Sequence, residues 1–500
     1  MPDVRLAPDQ LPFVDINALF YLEPRTHPIQ APIPATVKLT KDRGTLRVAI
    51  VGSGPAALYA ADELLKQPGI EVNVFEKLLT PHGLVRAGVA PDHQKTKSIE
   101  GLFRHIEAQE GFGYFFNVEV GVDITHTELL DHHHAVIYAT GASADRRLAI
   151  PGESLAGSCA ATEFVAWYNG HPDFADRRFD LGHKRAVIVG NGNVALDVAR
   201  ILTMNPSELA KTDIADHALQ ALRHSRIKEV VLLGRRGAAQ AAYTLPELVG
   251  LLSHHDVDFI VEGAELGIDS DRVVNQKIAA LAKASGSGQN GAGRKRIVFR
   301  FLASPTELIG TDKVEGVRLV LNDLVADAGG VLRPQPTSGT ETIEAGLVLR
   351  SIGYRGVPVA GLPFDMEAGV VPNAGGRVLS ETGGDIVRSA YVAGWIKRGP
   401  SGFIGTNKTC SLETVNNVIT DFNQGLLPAL QGSGALLTAL IAERQADCID
   451  LRGWRAIDLA ERTRGLAQGR VRQKFTHTTD MVLAAHSELA NRRRFSRRSR

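Results

Sequence analysis

Apolar and polar positions alternate in a way that predicts a strand, a glycine turn, a helix and a second strand early in the chain. The run LRVAIVG, from Leu46, is β-branched and apolar, and AALYAADELLKQ after it carries apolar residues at the helical period. EVNVFEK then has the pattern of a second strand. This order is a βαβ unit, which implies a parallel sheet.

The same pattern recurs from Lys184. KRAVIVG predicts a strand, NGNVALDVARILT a helix, and KEVVLLGRR a strand that follows a long excursion, NPSELAKTDIADHALQALRHS. AVIYATGA (135–142) and AGLVLRSIGY (345–354) are apolar strands that run into a glycine, and the second one marks the exit from the second unit. The fold class is therefore predicted as α/β, with two Rossmann-like dinucleotide-binding domains.

Three segments lack this periodicity. Residues 1–44 are rich in proline and predict an irregular arm, which either lies over the body or stays loose. GSGQNGAGRKR (286–296) is predicted to be a surface loop, and NRRRFSRRSR (491–500) a basic, disordered tail.

Composition excludes several classes of protein. The 500 residues are 44% hydrophobic and 22% charged, as in globular chains of several domains. Lys and Arg number 56 against 55 Asp and Glu, so no global field attracts nucleic acid or an anionic membrane. No apolar run is long enough to cross a bilayer and no targeting segment is evident, which predicts a cytoplasmic protein.

Cysteine and histidine usage argues against metal and disulfide chemistry. The three cysteines, Cys159, Cys410 and Cys448, are far apart, which excludes an iron–sulfur cluster or a structural zinc site within this chain. The clusters His132–His134 and His254–His255 are interpreted as turn residues, so no metal site is predicted.

The first glycine loop, Gly52-Ser53-Gly54-Pro55-Ala56-Ala57, lies between a predicted strand and helix. Such a loop lets backbone N–H groups approach a pyrophosphate at the positive end of the helix. Glu76 ends the next strand, where a carboxylate can accept hydrogen bonds from a ribose. Because this carboxylate would repel a 2′-phosphate, the loop favours FAD or NAD over NADP.

The second loop, Gly190-Asn191-Gly192-Asn193-Val194-Ala195, has the same form, but its next strand ends in Arg235 and Arg236. Guanidinium groups match phosphate oxygens, so this site predicts NADP selectivity. The alternative for the arginine pair is a solvated strand end. A flavin-type loop followed by an NADP-type loop predicts a flavoprotein reduced by NADPH. With no neighbouring cysteine pair, its electrons must pass to an acceptor outside the chain.

Four motifs in this order resemble adrenodoxin reductase and its bacterial relatives, the FAD-containing ferredoxin–NADP reductases: GLVRAGVAPDHQKTK (83–97), GNGNVALDVARIL (190–202), GRRG (234–237) and GWIKRGPSGFIGTNK (394–408). The resemblance runs from about Leu46 to the region of Asp480. It implies an NADP domain inserted into a discontinuous FAD domain, with FAD bound by 45–141 and 353–500 and NADP by 142–352.

The resemblance also implies functional residues. Those for FAD and the flavin–nicotinamide junction are Gly52, Gly54, Pro55, Ala56, Glu76, Leu84, Gly141, Trp395, Gly402, Phe403 and Ile404. Those for NADP are Gly190, Gly192, Asn193, Val194, Arg235, Arg236 and Glu247, although Glu247 could equally be a surface helix residue. His93 and Asp197 correspond to a catalytic pair near the junction, and the alternative for His93 is a packing role.

The implied activity is hydride transfer from NADPH to FAD, followed by one-electron transfers to a ferredoxin-type iron–sulfur protein, which could itself feed a cytochrome P450 or another acceptor. Two alternatives remain open. One is an NADPH-dependent flavoprotein that uses a quinone, oxygen or a partner subunit as acceptor, and the other is a non-catalytic redox sensor.

Overall fold

The first apolar run forms the strand β1 (Leu46–Val51), and its pattern is confirmed as a βαβ unit. The computed structural model describes residues 35–40, 44–263, 267, 269–286 and 293–486. Helix α1 (Pro55–Leu65) connects β1 to β2 (Ile70–Glu76), and the two strands pair in parallel with Val48 opposite Val72. Among the described residues, no helix combines the length and apolar character needed to cross a bilayer.

The later strands of the described residues follow in chain order. They are β3 (Phe112–Phe116), β4 (Ala135–Tyr138), β5 (Ala144–Asp145), β6 (Ser158–Ala160), β7 (Arg185–Val189), β8 (Glu229–Leu233), β9 (Val257–Glu262), β10 (Lys295–Arg300), β11 (Ala303–Ile309), β12 (Gly316–Ala326), β13 (Leu332–Glu344), β14 (Leu347–Arg350), β15 (Tyr354–Arg355), β16 (Asn373–Ala374), β17 (Arg377–Leu379) and β18 (Ile386–Val392).

The helices continue from α1 in the same way. They are α2 (Leu84–Ala87), α3 (Gln94–Lys97), α4 (Glu100–Ile106), α5 (His126–His132), α6 (Ala161–Tyr168), α7 (Asn193–Thr203), α8 (Pro206–Leu209), α9 (Asp216–Arg223), α10 (Leu245–Leu252), α11 (Arg272–Gly286), α12 (Trp395–Arg398), α13 (Thr406–Asn423), α14 (Gly434–Arg444) and α15 (Leu451–Leu466).

Two separate sheets organise the molecule. The first has the strand order β16-β17-β18-β4-β1-β2-β3, and the second β6-β14-β7-β8-β10-β9. The first sheet takes strands from both ends of the described chain, whereas the second takes all of its strands from residues 158–350. One α/β unit is therefore inserted into another. The boundaries after residues 141 and 352 stay a prediction.

The strands β18-β4-β1-β2-β3 of the first sheet pair in parallel, whereas β16 and β17 join at one edge in antiparallel pairing, and both faces of the parallel part are covered. Leu46, Val48 and Ile50 pack on one face, and Ala49 and Val51 pack on the other, because side chains alternate along a strand. The second sheet is covered in the same way, with an antiparallel three-stranded sheet (β11-β12-β13) beside it. That smaller sheet was not expected from the sequence.

Part of the proline-rich arm lies over the body. Residues 35–40 have no regular secondary structure, and side-chain amides hold their backbone: Val37 N–H donates to Asn416 (2.7 Å) and Leu39 N–H to Gln67 (2.6 Å). Residues 1–34 and the basic tail 491–500 lie outside the described residues.

Two local predictions were wrong. The loop predicted over 286–296 is wrong at both ends, because Gly286 belongs to α11 and Lys295 begins β10; residues 287–292 lie outside the described residues. His132 belongs to α5 rather than to a turn, since a capping box between Thr125 and Glu128 starts that helix. The excursion after α7 contains the short helices α8 and α9.

Candidate functional site

The first glycine loop leaves the start of α1 open. Gly52 has φ +96°, and a Cβ there would lie 2.7 Å from the Ala139 carbonyl oxygen, so only glycine fits. Gly54 caps α1 with no side-chain hydrogen bond, and a Cβ at Gly54 would meet nothing within 4 Å. Pro55 begins the helix, and Ala56 follows it. Open space before uncapped helical N–H groups suits a pyrophosphate.

Glu76 lies beside this loop, as the strand–turn geometry predicts. Its carboxylate accepts hydrogen bonds from Ser53 N–H (3.0 Å), from the Ser53 hydroxyl (2.6 Å) and from Leu78 N–H (3.0 Å). Burial raises the pKa of Glu76, although these donors oppose the shift. The carboxylate is thus fixed in place, and its remaining lone pairs can accept from a ribose hydroxyl.

Two further segments approach the start of α1. A Cβ at Gly83 would lie 3.1 Å from the Gly54 Cα, and Leu84, which follows, has a half-exposed side chain. A Cβ at Gly394 would lie 2.6 Å from Ala56 Cβ. Gly141, just beyond β4, faces open space. The structure therefore brings the segments of three predicted flavin motifs together.

The turn after β18 presents the remaining predicted flavin residues. Trp395 starts α12, donates from its indole N–H to the Ser401 carbonyl (3.2 Å), and lies 5.6 Å from the Tyr354 ring. Phe403 is 70% exposed, between Gly402 and Ile404, and its N–H donates to the Thr406 hydroxyl (3.2 Å). An exposed aromatic ring on a fixed backbone can cover the face of a planar ligand.

The second glycine loop repeats the arrangement at α7. A Cβ at Gly190, where φ is +120°, would collide with the Ser351 carbonyl. Gly192 caps α7 without a side-chain hydrogen bond and faces open space. The Asn193 side chain is already engaged, since its oxygen accepts from Thr244 N–H (2.8 Å), and Val194 packs against the core. The backbone N–H groups of these two residues and the Asn193 side-chain nitrogen are left as donors for a pyrophosphate.

Arg235 and Arg236 follow β8 next to this loop. Arg235 is exposed and Arg236 partly buried, and in the described part of the chain neither guanidinium forms a salt bridge with a carboxylate. Most other arginines near the second sheet do have such a partner, as Arg185 does with Glu229. Two adjacent unpaired guanidinium groups suit a phosphate monoester.

His93, Asp197 and Glu247 meet between the two sheets. His93 Nε2 lies 3.8 Å from Asp197 Oδ1 and 3.8 Å from Glu247 Oε2. His93 precedes α3 in the first-sheet unit, whereas Asp197 lies on α7 and Glu247 on α10 in the second. The ligand-type atoms of the three side chains all lie within 4.8 Å of one another. Glu247 is thus placed beside His93 and is not an isolated surface residue.

Burial and the neighbouring charges of this cluster do not all shift the pKa of Glu247 in the same direction. Burial, and then the neighbouring Asp197 carboxylate, raise the pKa of Glu247, while His93 and Arg200 oppose that shift. A carboxyl group with a raised pKa exchanges a proton more readily near neutral pH than an ordinary glutamate does. Glu247 can therefore hold or release a proton beside His93 Nε2.

Sequence reasoning missed Asp92 and Arg200, which support the cluster. Arg200 Nη2 donates to Asp197 Oδ1 (2.6 Å), and Arg200 Nε donates to Asp92 Oδ2 (2.6 Å). A signal was present: Arg200 lies three residues after Asp197 in an otherwise apolar helix, and a charge on a buried helix face requires a partner.

The other candidate groups have structural partners. His133 is buried, with Nδ1 against the Leu129 carbonyl (2.9 Å) and Nε2 against the Asn73 amide (2.9 Å). The three cysteines are free, and burial raises the pKa of Cys448 to about 12. None of the three forms a disulfide that could accept electrons.

Comparison with known proteins shows that this chain is similar to a family of redox enzymes. Residues 46–238 match the family model described as pyridine nucleotide-disulphide oxidoreductase. A Mycobacterium tuberculosis protein named "Probable ferredoxin/ferredoxin--NADP reductase" is 50% identical over 502 residues, which cover 97% of this chain and 84% of that protein.

Two other relatives cover most of the chain. The NADPH-ferredoxin reductase FprA of Mycobacterium tuberculosis is 45% identical over 453 residues, which cover 87% of this chain and 98% of the relative. The mitochondrial NADPH:adrenodoxin oxidoreductase of Arabidopsis thaliana is 40% identical over 460 residues, with coverages of 88% and 95%. The structure of Mycobacterium tuberculosis FprA in complex with NADPH superposes with a TM-score of 0.83 at 44% identity, over 88% of this chain and 99% of that one.

Proposed function

The chain belongs to the adrenodoxin-reductase-type family of FAD-dependent ferredoxin–NADP(+) reductases, and we propose that it passes electrons from NADPH through FAD to a ferredoxin-type iron–sulfur protein. It is an oxidoreductase that uses FAD and NADP(H). The proposal rests on the presence of two open glycine loops, each in a unit built on a separate sheet. One loop lies beside Glu76, and the other lies beside Arg235 and Arg236.

The residues around α1 fit FAD. Backbone N–H groups after Gly54 and Pro55 would hold its pyrophosphate, and Glu76 would accept from its ribose. Leu84, Trp395 and the segment from Gly402 to Ile404, which includes the exposed Phe403, would line the ring system. Open space at Gly54 and Gly141, together with the packing of Gly394 on Ala56, supports this assignment.

The residues around α7 fit NADP(H). Backbone N–H groups of Asn193 and Val194 would face its pyrophosphate, and Arg235 and Arg236 would bind its 2′-phosphate. Support comes from the uncapped α7 and from the absence of carboxylate partners for both arginines within the described residues. NADH lacks the 2′-phosphate, so the chain should prefer NADPH.

When bound, FAD accepts a hydride from NADPH and releases its two electrons one at a time. The chain contributes position and electrostatics to this reaction. His93, held between Asp197 and Glu247, would keep a proton at Nε2 beside the reacting rings. The α3 segment and α10 would close the junction from either side and so limit access of water.

The electrons must leave to another molecule. The three cysteines are unpaired, so none of them forms a disulfide that could accept the electrons within the chain. Relatives named for ferredoxin and adrenodoxin support an iron–sulfur acceptor. We also propose a cytoplasmic location, because unpaired cysteines are typical of a reducing compartment.

A comparison of acceptors tests this function. The protein is reduced with NADPH without oxygen and mixed in turn with a ferredoxin from the same organism, a quinone and oxygenated buffer. We expect ferredoxin to reoxidise the flavin fastest by at least an order of magnitude. Reoxidation by quinone or oxygen alone would contradict the proposal and favour one of the other acceptors.

A further inference from the structure

Arg200 is a buried cation that joins the two halves of the molecule. Its side chain is 2% exposed on α7 of the second-sheet unit. It donates to both oxygens of Asp92, from Nε to Oδ2 (2.6 Å) and from Nη2 to Oδ1 (3.1 Å), and Nη2 also donates to Asp197 Oδ1 (2.6 Å). Asp92 comes from the first-sheet unit, between β2 and β3.

The charges of Arg200 and Asp92 favour an ion pair that persists at neutral pH. Burial alone would raise the pKa of Asp92, but the charge and hydrogen bonds of Arg200 outweigh it and lower the pKa. The two carboxylates raise the pKa of Arg200. The ion pair is therefore fully charged at neutral pH, and two-point contact between guanidinium and carboxylate fixes the orientation of both.

This link acts directly on His93. Asp92 is the residue before it in the chain, so the backbone of His93 is tied to α7 through Arg200. The Asp197 oxygen that accepts from Arg200 is the same atom that lies 3.8 Å from His93 Nε2. Arg200 therefore contacts both the residue before His93 and a carboxylate oxygen close to the His93 ring.

A second ion pair holds the other end of the same segment. The ammonium group of Lys97, the last residue of α3, donates to Asp213 Oδ2 (2.8 Å) and Oδ1 (3.0 Å). Gln94 also donates to Asp213 Oδ1 (3.2 Å). Asp213 lies between α8 and α9 in the second-sheet unit, and it also accepts from Lys474 (3.0 Å), which follows α15 in the first-sheet unit, so this end of the segment is bound where the two units meet.

We propose that Arg200 is a positioning residue that attaches the His93 end of this segment to the NADP half of the site, so that Asp92 and His93 follow the second-sheet unit although the chain connects them to the first. This inference rests on the proposed function. Any shift of one unit against the other would then leave His93, Asp197 and Glu247 together. Such a shift would instead change the distance between this cluster and the flavin site.

The test uses the FAD-loaded protein and two variants that weaken the link. Asp92→Asn keeps the shape of the side chain but removes its charge, and Arg200→Lys keeps the charge but loses the two-point contact. Asp421→Asn is the matched control, because Asp421 forms a similar partly buried pair with Arg377 far from this segment. Hydrogen exchange by mass spectrometry follows the peptide around residues 90–98, and stopped-flow absorbance follows reduction of the flavin by NADPH.

We expect the amides of residues 92–97 to exchange faster in both variants, and the reduction rate at saturating NADPH to fall roughly tenfold, as for a misplaced catalytic group. The dissociation constant of NADPH should change less than the rate, and the control should match the parent in both measurements. Unchanged exchange, or a change confined to NADPH affinity, would overturn the inference. If the parent protein itself is not reduced by NADPH, the proposed function fails, while the exchange measurement still tests the attachment of the segment.

Discussion

His93 Nε2 lies 3.8 Å from Glu247 Oε2, although the two residues belong to units built on different sheets. Each unit alone supplies one of the two binding loops. The first-sheet unit has a glycine loop with Glu76, and the second-sheet unit has a glycine loop with two arginines. Their contact turns two binding loops into a site where a nicotinamide and a flavin can meet. Interactions across this boundary should therefore govern the reaction.

The arginine pair should determine the choice of nicotinamide cofactor. Replacement of Arg235 and Arg236 by glutamine removes two charge-assisted contacts to a 2′-phosphate, each worth about 1.5–3 kcal/mol. We expect the KM for NADPH to rise at least tenfold while that for NADH stays within about twofold. Arg223→Gln, an exposed arginine on α9, is the control. An unaltered preference for NADPH would show that another site binds the phosphate.

The first glycine loop should decide whether FAD is retained. In Gly52→Ala, the new Cβ would press on the Ala139 carbonyl at a position with φ +96°, so the loop must move. We expect the purified variant to contain much less FAD per protein than the parent. Gly383→Ala provides the control, because Gly383 has φ +79° but no atom within 4 Å of the added carbon. Equal loss of FAD in both variants would point to general strain.

Thermal unfolding should reveal the raised pKa of Glu247. Because burial and Asp197 raise this pKa in the folded protein, the ionised carboxylate destabilises the fold above that value. Glu247→Gln is neutral at every pH. We therefore expect its unfolding temperature to exceed that of the parent at pH 7–8, with a difference that shrinks to nothing below the unfolded-state pKa of about 4.3.

The exposed Glu208→Gln is the matched control for that series, since its partner Lys211 is also exposed. A lower unfolding temperature of Glu247→Gln at pH 7 would mean that attraction to His93 and Arg200 outweighs burial.

Asp213 should be essential to the contact between the units. It lies between the ammonium groups of Lys97 (2.8 Å) and Lys474 (3.0 Å), and burial lowers the pKa of Lys474 to about 7. Asp213→Asn would leave the buried ammonium group of Lys97 without its carboxylate, at a cost of about 3–5 kcal/mol. Urea unfolding at pH 8 measures this loss. Because the two lysines hold the pKa of Asp213 well below its usual range, the loss should diminish only in acid, as the pH falls towards that lowered pKa.

Sequence patterns predicted the features that depend on local chemistry. The strands β1 and β7, the turns at Gly52 and Gly190, and the position of Glu76 follow from apolar runs and from conformations that only glycine tolerates. Each of these features lies within one strand–turn–helix–strand segment, so a single sequence contains the necessary information.

Features that depend on distant segments could not be predicted in this way. The place of Glu247 beside His93 arises from the packing of two sheets, which no local pattern encodes. The strand β13 was missed because Pro334 and Pro336 and many polar residues argue against a strand; prolines are tolerated there because β13 is an edge strand. The role of Arg200 required knowledge of where Asp92 lies.

The most direct test of the account is an anaerobic titration of the purified, yellow protein with NADPH. If the two glycine loops bring NADPH and FAD together, one equivalent of NADPH should bleach the flavin absorbance, and NADH should do so far more slowly. A flavin band that NADPH leaves unbleached would contradict the central claim and favour a non-catalytic redox sensor.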